Sequence, residues 1–163
     1  MLLSGINHVA ILTNDTERLH AFYEDVFDAT VVRDGPEPSS APAPSGVRMS
    51  VIRVGPHSEL NVFQVDGNTE ADRQTPMFGR GRIDHLALHA ESLDAFEKIR
   101  DRLMGRGAAD DFVTDFGSIL SVFFRDPDGL ECEVCVPNPD ARPGVAHPPG
   151  TRATRFSTSP AGD

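Results

Sequence analysis

Two histidines and one glutamate stand at positions from which they could bind one metal ion. The segment INHVAI recurs later in the chain as IDHLAL, which places His8 and His85 at the same point of two equivalent segments. The third residue is Glu133, in a segment typical of a strand that follows a tight turn. Two imidazoles and one carboxylate form a facial ligand set that suits iron(II), manganese, zinc, nickel or cobalt and leaves positions open for water and substrate. We therefore expect one divalent metal ion on His8, His85 and Glu133.

The equivalence of the two histidines is the observation on which this prediction depends. Taken alone, a histidine in a strand is more often a hydrogen-bonded core residue than a metal ligand. A pseudo-twofold arrangement of two equivalent strands, however, can bring both imidazoles to one axis. A glutamate buried beside them without a cation would be costly, which favours a bound ion over an empty pocket.

A helix is predicted after each copy of the repeat. Asn14 or Asp15 can cap the first helix, and Ser92 can cap the second, which should end near Gly105 and Gly107. The apolar residues of both segments fall at helical spacing. They are Leu19, Phe22, Tyr23, Val26 and Phe27 in the first segment, and Leu93, Phe96, Ile99 and Leu103 in the second. Both helices are therefore predicted to be amphipathic, with one apolar stripe each.

Three segments with the character of strands follow each helix. They are 29–33, 47–54 and 59–65 in the first half, and 111–115, 118–125 and 130–136 in the second half. The order of strand, helix and three strands, found twice, predicts an α+β fold of paired βαβββ modules forming a cupped mixed β-sheet barrel with flanking helices. We assign residues 1–136 to one domain, with modules at 5–66 and 82–136, and residues 137–163 to a C-terminal tail.

Two proline-rich segments lack the periodicity of helices and strands. Residues 35–46, with the sequence GPEPSSAPAPSG, are predicted to be a loop that joins two strands. The tail from 137 onward is polar and contains six prolines, so its apolar surface is too small to offset alone the entropy lost on ordering. We expect the tail to be extended, and either mobile or laid against a neighbouring surface.

The charge of the chain argues for a small-molecule partner. Its formal net charge of −10 at pH 7 opposes binding to phosphate backbones and anionic lipid surfaces. No apolar run approaches the roughly 20 residues that a membrane-spanning helix needs. The opening segment MLLSGINHVAIL lacks the features of a secretory signal. We expect a cytoplasmic protein that binds neither nucleic acid nor membrane.

The two cysteines form a C-x-x-C motif within a predicted strand. Side chains alternate between the faces of a strand, so a separation of three residues places Cys132 and Cys135 on opposite sides of the sheet. A shared metal or a redox pair is not expected from that geometry. We predict two reduced, structural thiols.

Three segments together resemble the vicinal oxygen chelate superfamily, which includes glyoxalase I, methylmalonyl-CoA epimerase, fosfomycin-resistance thiol transferases, bleomycin-binding proteins and extradiol dioxygenases. They are INHVAILTNDTERLHAFYEDVF, RIDHLALHAESLDAF and FFRDPDGLECEV, and the match covers roughly residues 5 to 136. The resemblance places the family's metal ligands on His8, His85 and Glu133. The family's fourth ligand, usually Glu, Gln or His, falls on Asn61, whose amide oxygen is a weaker and neutral ligand. Glu59 shares the strand face of Asn61 and is the candidate to replace it.

The resemblance implies a divalent-metal-dependent enzyme of the glyoxalase or dioxygenase type, which acts on a small substrate chelated through vicinal oxygens. Asn61 counts against the isomerases that use four ligands, while a single tyrosine and a single domain count against a typical extradiol dioxygenase. The choice between lyase or isomerase and dioxygenase therefore stays open, and no catalytic residue is assigned. Phe63, Phe123 and His89 are expected to line the substrate pocket.

A non-catalytic protein of the bleomycin-resistance type, which binds or sequesters a drug or another small molecule, is the alternative. It predicts no stoichiometric metal and an apolar groove lined by residues such as Phe63, Phe123 and Phe124. Members of the superfamily usually pair their modules within a chain or between chains, so a homodimer is expected. Whether the two halves of one site come from one chain or from two is left open by the sequence.

Overall fold

A computed structural model of the chain describes residues 2, 5–36, 46–72, 78–79 and 83–156. The first module contains β1 (His8–Leu12), α1 (Thr16–Phe27), β2 (Thr30–Pro36), β3 (Val47–Gly55) and β4 (Ser58–Val65). The second contains β5 (Leu86–His89), α2 (Leu93–Gly105), β6 (Val113–Asp115), β7 (Ile119–Arg125) and β8 (Glu131–Pro137). Short 3₁₀ turns lie at Glu70–Asp72 and Thr154–Phe156.

The chain forms two compact units. The first unit is Met1–Gln74 together with Asp126–Gly129, and the second unit is Thr75–Arg125 together with Leu130–Asp163. The predicted domain limits at 136 and 137 stay a prediction. No helix in the described part of the chain is long and apolar enough to cross a membrane.

Each unit contains one four-stranded mixed sheet. The strand orders are β1-β4-β3-β2 and β5-β8-β7-β6. The first strand of each module pairs parallel with the last, and the other neighbours pair antiparallel. A parallel pair needs a crossover connection, which begins in each module with the helix after the first strand. The predicted α+β fold of paired βαβββ modules is confirmed, while the strands form two separate sheets and not one hydrogen-bonded barrel among the residues described.

The first helix covers the first sheet with the predicted apolar stripe. Asp15 is the N-cap, and its side chain accepts a hydrogen bond from the backbone N–H of Arg18. Leu19, Phe22, Tyr23 and Val26 are at most 5% exposed, and the helix packs mainly on β3. Burying each such side chain contributes about 1.5–3 kcal/mol, which makes this stripe the main stabilising contact of α1.

The second module repeats this arrangement. Ser92 caps α2 by accepting a hydrogen bond from the backbone N–H of Ala95, and the helix ends at the predicted Gly105. Phe96 and Leu103 are fully buried where α2 packs on β8. Both helices therefore begin at a predicted cap, and the second ends where the sequence predicts.

The strand β2 is longer than predicted. It continues through Gly35 and Pro36, which the sequence analysis assigns to a loop. That assignment is wrong at these two residues. The strand β2 lies at the edge of its sheet, and a proline can belong to an edge strand because the N–H that it lacks would point to solvent and not to a neighbouring strand. The rest of the predicted loop, 37–45, lies outside the described residues.

The C-terminal segment returns to the free edge of β6 in the second unit. The backbone N–H of Asp115 donates to the carbonyl of Thr151, and the N–H of Ala153 donates to the carbonyl of Val113. A β-bridge joins Thr114 and Arg152. The tail therefore lies against a surface, which belongs to the second module, as one of the two expected alternatives has it. It is not extended throughout, because hydrogen-bonded turns begin at Asn138, Arg142 and Pro148.

Side-chain contacts also stabilise the docked position of the C-terminal segment. Phe156 packs on Phe96 of α2, with ring centroids 5.8 Å apart. The guanidinium of Arg152 lies 4.6 Å from the ring centroid of Phe112 and pairs with Asp111. Aromatic and cation–π contacts of this kind supply attraction that the polar composition of the tail lacks.

Gly117, in the turn between β6 and β7, permits the tail to pass close to the sheet. Its φ of +92° lies in the region that favours glycine, and a Cβ at this position would lie 2.4 Å from the carbonyl oxygen of Val145. That separation is far below van der Waals contact. A side chain here is therefore incompatible with the docked tail.

We predict that Gly117→Ala destabilises the protein by about 1–3 kcal/mol through the positive φ and the collision with Val145. Thermal unfolding should show a lower Tm, and trypsin should cleave faster after Arg152 and Arg155. Gly105→Ala is the matched control, because a Cβ there meets nothing within 4 Å. Equal Tm and equal cleavage for the two variants would contradict the close passage of the tail.

A buried histidine makes the stability of the first unit depend on pH. His20 is 9% exposed, and its Nε2 lies 2.7 Å from the hydroxyl of Ser50. Burial lowers the pKa of His20 below its usual value, although the nearby carboxylate of Asp34 works in the opposite direction. The unfolded chain therefore binds a proton at a higher pH than the folded chain does.

We predict that the free energy of unfolding falls as the pH falls from about 7.5 through about 6.5, where the histidine of the unfolded chain becomes protonated. His20→Gln should reduce this pH dependence, measured by urea unfolding at a series of pH values. His57→Gln, at an exposed histidine in the β3–β4 turn, should leave it unchanged. An identical pH dependence in wild type and His20→Gln would rule out His20 as its source.

Candidate metal centre

The register of the two sheets makes four strand positions equivalent. Ala10 of β1 lies opposite Asn61 of β4, and Ala87 of β5 lies opposite Glu133 of β8. Asn61 therefore occupies in the first module the place that Glu133 occupies in the second. This agrees with the position that the sequence resemblance assigns to the fourth ligand.

The structure brings His85 and Glu133 together. His85 lies directly before β5, and its Nε2 is 3.5 Å from Oε1 of Glu133. Its other nitrogen, Nδ1, lies 2.8 Å from Oδ2 of Asp84. The second carboxylate oxygen of Asp84 accepts a hydrogen bond from the backbone N–H of Phe78. Both carboxylate oxygens of Asp84 are therefore hydrogen-bonded, and the bond to Nδ1 fixes the orientation of the His85 ring.

These contacts leave two electron-rich atoms facing each other. An ionised carboxylate only accepts hydrogen bonds, so Nδ1 of His85 carries the proton that Asp84 receives. With a neutral ring Nε2 presents a lone pair toward Oε1 of Glu133, whereas with a protonated ring the two groups form an ion pair; the glutamate is 8% exposed. Such a pair is stable only with a cation or a proton between its members. The donor atoms and the outer hydrogen bond fit a divalent metal ion, because metal-bound histidines usually donate their other N–H to a carboxylate or carbonyl.

The second oxygen of Glu133 contacts a thiol. Sγ of Cys135 lies 3.3 Å from Oε2, so both residues share one face of β8. Burial raises the pKa of the Cys135 thiol to about 11, and the neighbouring Glu133 adds to the effect. The thiol is therefore protonated at neutral pH and donates to the carboxylate. Cys132, fully buried on the other face, does not share this environment, and both cysteines are free as predicted.

The first-module histidine has a similar local arrangement. His8 is exposed at the start of β1, and its Nδ1 lies 2.8 Å from Oδ1 of Asn7. Each histidine of the repeat is thus hydrogen-bonded through Nδ1 to the residue before it. The hydrogen bonds of the two histidines to Asn7 and Asp84 were not predicted. The sequence does contain an indication of them, because each histidine of the repeat is preceded by a residue with a side-chain oxygen.

An arginine–glutamate ion pair occupies the equivalent place in each sheet. Arg53 pairs with Glu59 at 2.9 Å, and Arg125 pairs with Glu131 at 2.6 Å. Glu59 therefore already has a cationic partner, which weighs against its replacing Asn61 as a ligand. Asn61 itself is half-buried in the middle of β4.

The predicted pocket residues lie in both units. Phe63 is half-buried on β4, and His89 is exposed at the end of β5. Phe123 is half-buried on β7, directly opposite Glu133. It lines an open depression of about 510 Å³ in the second unit. The lining residues are Gly107, Ala108, Ala109, Asp110, Phe123, Phe124, Arg125 and Glu131.

Within the residues described, no group of three or more His, Cys, Asp or Glu side chains lies in position to hold a metal ion. His85 and Glu133 contact each other within the second unit. His8 belongs to the first unit, where its described contact is the hydrogen bond with Asn7. The complete triad of His8, His85 and Glu133 stays a prediction.

Comparisons with solved structures identify the fold. A glyoxylase/bleomycin resistance protein/dioxygenase domain from Frankia sp. EAN1pec is 20% identical, with a TM-score of 0.68 over 84% of this chain and 94% of that chain. A glyoxalase family protein from Enterococcus faecalis is 25% identical, with a TM-score of 0.62 over 83% and 99%. Both resemble this chain over nearly their whole length.

A metal-containing structure is also similar in fold. It is a Glu-to-Gln variant of the fosfomycin resistance protein FosX from Listeria monocytogenes, complexed with manganese(II) and 1S,2S-dihydroxypropylphosphonic acid. It is 16% identical, with a TM-score of 0.56 over 82% of this chain and 92% of that chain. A comparison with curated protein sequences found no match.

A family model decides the classification. The model of the Glyoxalase/Bleomycin resistance protein/Dioxygenase superfamily matches residues 5–134, which include both modules and the His85–Glu133 pair. The chain belongs to the glyoxalase/bleomycin resistance protein/dioxygenase superfamily.

Proposed function

We propose that the protein is a divalent-metal-dependent enzyme of the glyoxalase or dioxygenase type, which acts on a small substrate bound through two neighbouring oxygens. The approach of His85 Nε2 to Glu133 Oε1, 3.5 Å apart, carries the proposal. His8 supplies the third ligand of the proposed site. The expected homodimer and cytoplasmic location belong to the same proposal.

The residues around the pair prepare it to bind a cation. Asp84 accepts a hydrogen bond from Nδ1 of His85, which fixes the tautomer and leaves Nε2 as the nitrogen that can bind the ion. Glu133 supplies the negative charge at a position that is 8% exposed, where water screens that charge weakly. Asn7 can orient His8 in the same way, through a neutral amide.

A bound divalent ion would act as a Lewis acid on the substrate's two oxygens. Glu133 is the one carboxylate of the proposed triad, so the ion and its protein ligands keep a net charge of about +1. A second carboxylate at the place of Asn61 would cancel that charge. The site is therefore suited to substrates that carry or develop negative charge on adjacent oxygens.

The fold relative with a bound diol supports this substrate class. FosX was solved with manganese(II) and 1S,2S-dihydroxypropylphosphonic acid, a compound with oxygens on adjacent carbons. We extend the neighbouring-oxygen chemistry to this chain, and not the compound itself. Dioxygen uptake and isomerase assays with iron(II), manganese(II) and zinc(II) separate the two reaction types.

We predict that His85→Ala, Glu133→Gln and His8→Ala each weaken metal binding by roughly 100-fold or more, because the alanines remove a proposed ligand and glutamine replaces a charged oxygen with a neutral one. Isothermal titration with manganese(II) and zinc(II) measures the affinity without any assay of activity. His57→Ala is the matched histidine control and should bind like wild type.

Wild-type protein that binds neither ion after removal of bound metal would overturn the proposal. If His8→Ala alone binds normally, the site consists of the second-unit pair with other ligands.

We also predict that Asn61→Glu tightens metal binding by about tenfold, because a charged oxygen replaces a neutral one near the ion. Asn61→Gln matches the length of glutamate without its charge and should change the affinity little. The same titration measures both variants. No gain for Asn61→Glu would show that position 61 lies beyond reach of the metal.

Binding without catalysis is the second candidate function. It is supported by the depression in the second unit, which Phe123 and Phe124 line as the sequence analysis expects of a ligand groove. The depression combines these two aromatic side chains with the charged Asp110, Arg125 and Glu131, and such a mixed lining can bind a ligand without a metal. Small-molecule binding that persists unchanged after removal of all metal, in a protein without turnover, would favour this function over the enzyme.

A further inference from the structure

The C-x-x-C motif places one thiol beside the proposed metal ligands. Alternation along β8 puts Cys132 and Cys135 on opposite faces, and both are free. Cys132 is fully buried with Val134 and Val136, which share its face. Cys135 lies on the face of Glu133. The two cysteines of one motif therefore have different surroundings, and only Cys135 contacts a group of the site.

The contact divides the two oxygens of Glu133 between two partners. Oε2 lies 3.3 Å from Sγ of Cys135, and Oε1 lies 3.5 Å from Nε2 of His85. A carboxylate accepts hydrogen bonds at both oxygens, so the thiol is the donor in the first contact. A hydrogen bond at Oε2 restricts rotation of the carboxylate and leaves Oε1 as the oxygen that faces the imidazole.

We propose that Cys135 is a positioning residue, whose thiol holds Oε2 of Glu133 and thereby presents Oε1 alone to the metal beside His85. This inference rests on the proposed metal site. It assigns a role to a residue that the sequence analysis treats as structural.

The number of oxygens that reach the ion follows from this contact. With Oε2 engaged by the thiol, Glu133 binds through one oxygen. Without the thiol, the carboxylate is free to turn and to bind through both oxygens. Loss of the hydrogen bond therefore changes the coordination number of the ion in addition to its affinity.

Three variants and one control test the proposal. Cys135→Ala and Cys135→Val remove the donor, and valine also fills the space of the thiol. Cys135→Ser restores a donor at the same position. Cys132→Ala is the matched control, because it removes a buried thiol from the same strand on the opposite face.

The readouts are the affinity for manganese(II) and zinc(II) and the visible absorption of the cobalt(II)-substituted protein. Cobalt(II) absorption depends on coordination number, which a general loss of packing does not alter in folded protein. We expect Cys135→Ala and Cys135→Val to bind about tenfold more weakly, with an altered cobalt spectrum. Cys135→Ser should recover most of the affinity and the wild-type spectrum, and Cys132→Ala should match wild type.

Three results would overturn the proposal. The first is wild-type affinity and spectrum in both Cys135→Ala and Cys135→Val. The second is an equal loss in Cys132→Ala, which would indicate a packing effect. The third is a sulfur-to-cobalt charge-transfer band that Cys135→Ala abolishes, which would make the cysteine a ligand. Failure of the proposed function itself is distinguishable, because wild type would then bind no metal, and the inference would fail with it.

Discussion

The parallel pairing of the first and last strands of each module is the constraint on which the arrangement of the site depends. In the first module it sets Ala10 beside Asn61, and in the second it sets Ala87 beside Glu133. A small side chain on the neighbouring strand leaves room above the polar one. The histidine two residues before each alanine then lies on the same face of the sheet. One backbone geometry thus positions the residues that we propose as metal ligands in both modules.

The two modules use this common frame differently. The arginine–glutamate pairs at Arg53–Glu59 and Arg125–Glu131 are equivalent, so the ends of the two sheets kept the same interaction. The central positions diverged, because Glu133 carries a charge and Asn61 does not. In the second module Asp84 accepts a hydrogen bond from His85, and Cys135 donates one to Glu133. In the first module the partner of His8 is the neutral amide of Asn7. The negative charge of the proposed ligand set therefore lies in the second module.

The sequence predicted the features that are local or periodic. Apolar spacing located both helices, Asp15 and Ser92 capped them as expected, and the internal repeat indicated the paired modules. Alternation along β8 correctly separated the two thiols, because strand geometry needs no knowledge of distant residues.

The features that the sequence did not predict depend on contacts between distant or unevenly spaced residues. The thiol bond to Glu133 depends on rotamers that strand alternation does not specify. The close passage of Val145 over Gly117 joins residues with no common pattern. Pro36 belongs to a strand because β2 happens to lie at an edge, which composition alone does not reveal. Tertiary context decided each of these cases.

The returning tail has a consequence for self-association. A strand at the border of a sheet offers unpaired backbone groups that can recruit a foreign strand and start ordered aggregation. Here the chain occupies that border itself, since Thr151 and Ala153 take up hydrogen bonds of β6. A proline-rich segment can pair with this edge and still be a poor partner for a further strand, because prolines have no N–H to donate. With the tail docked, backbone groups of β6 that could pair with a second chain are already hydrogen-bonded within the same chain.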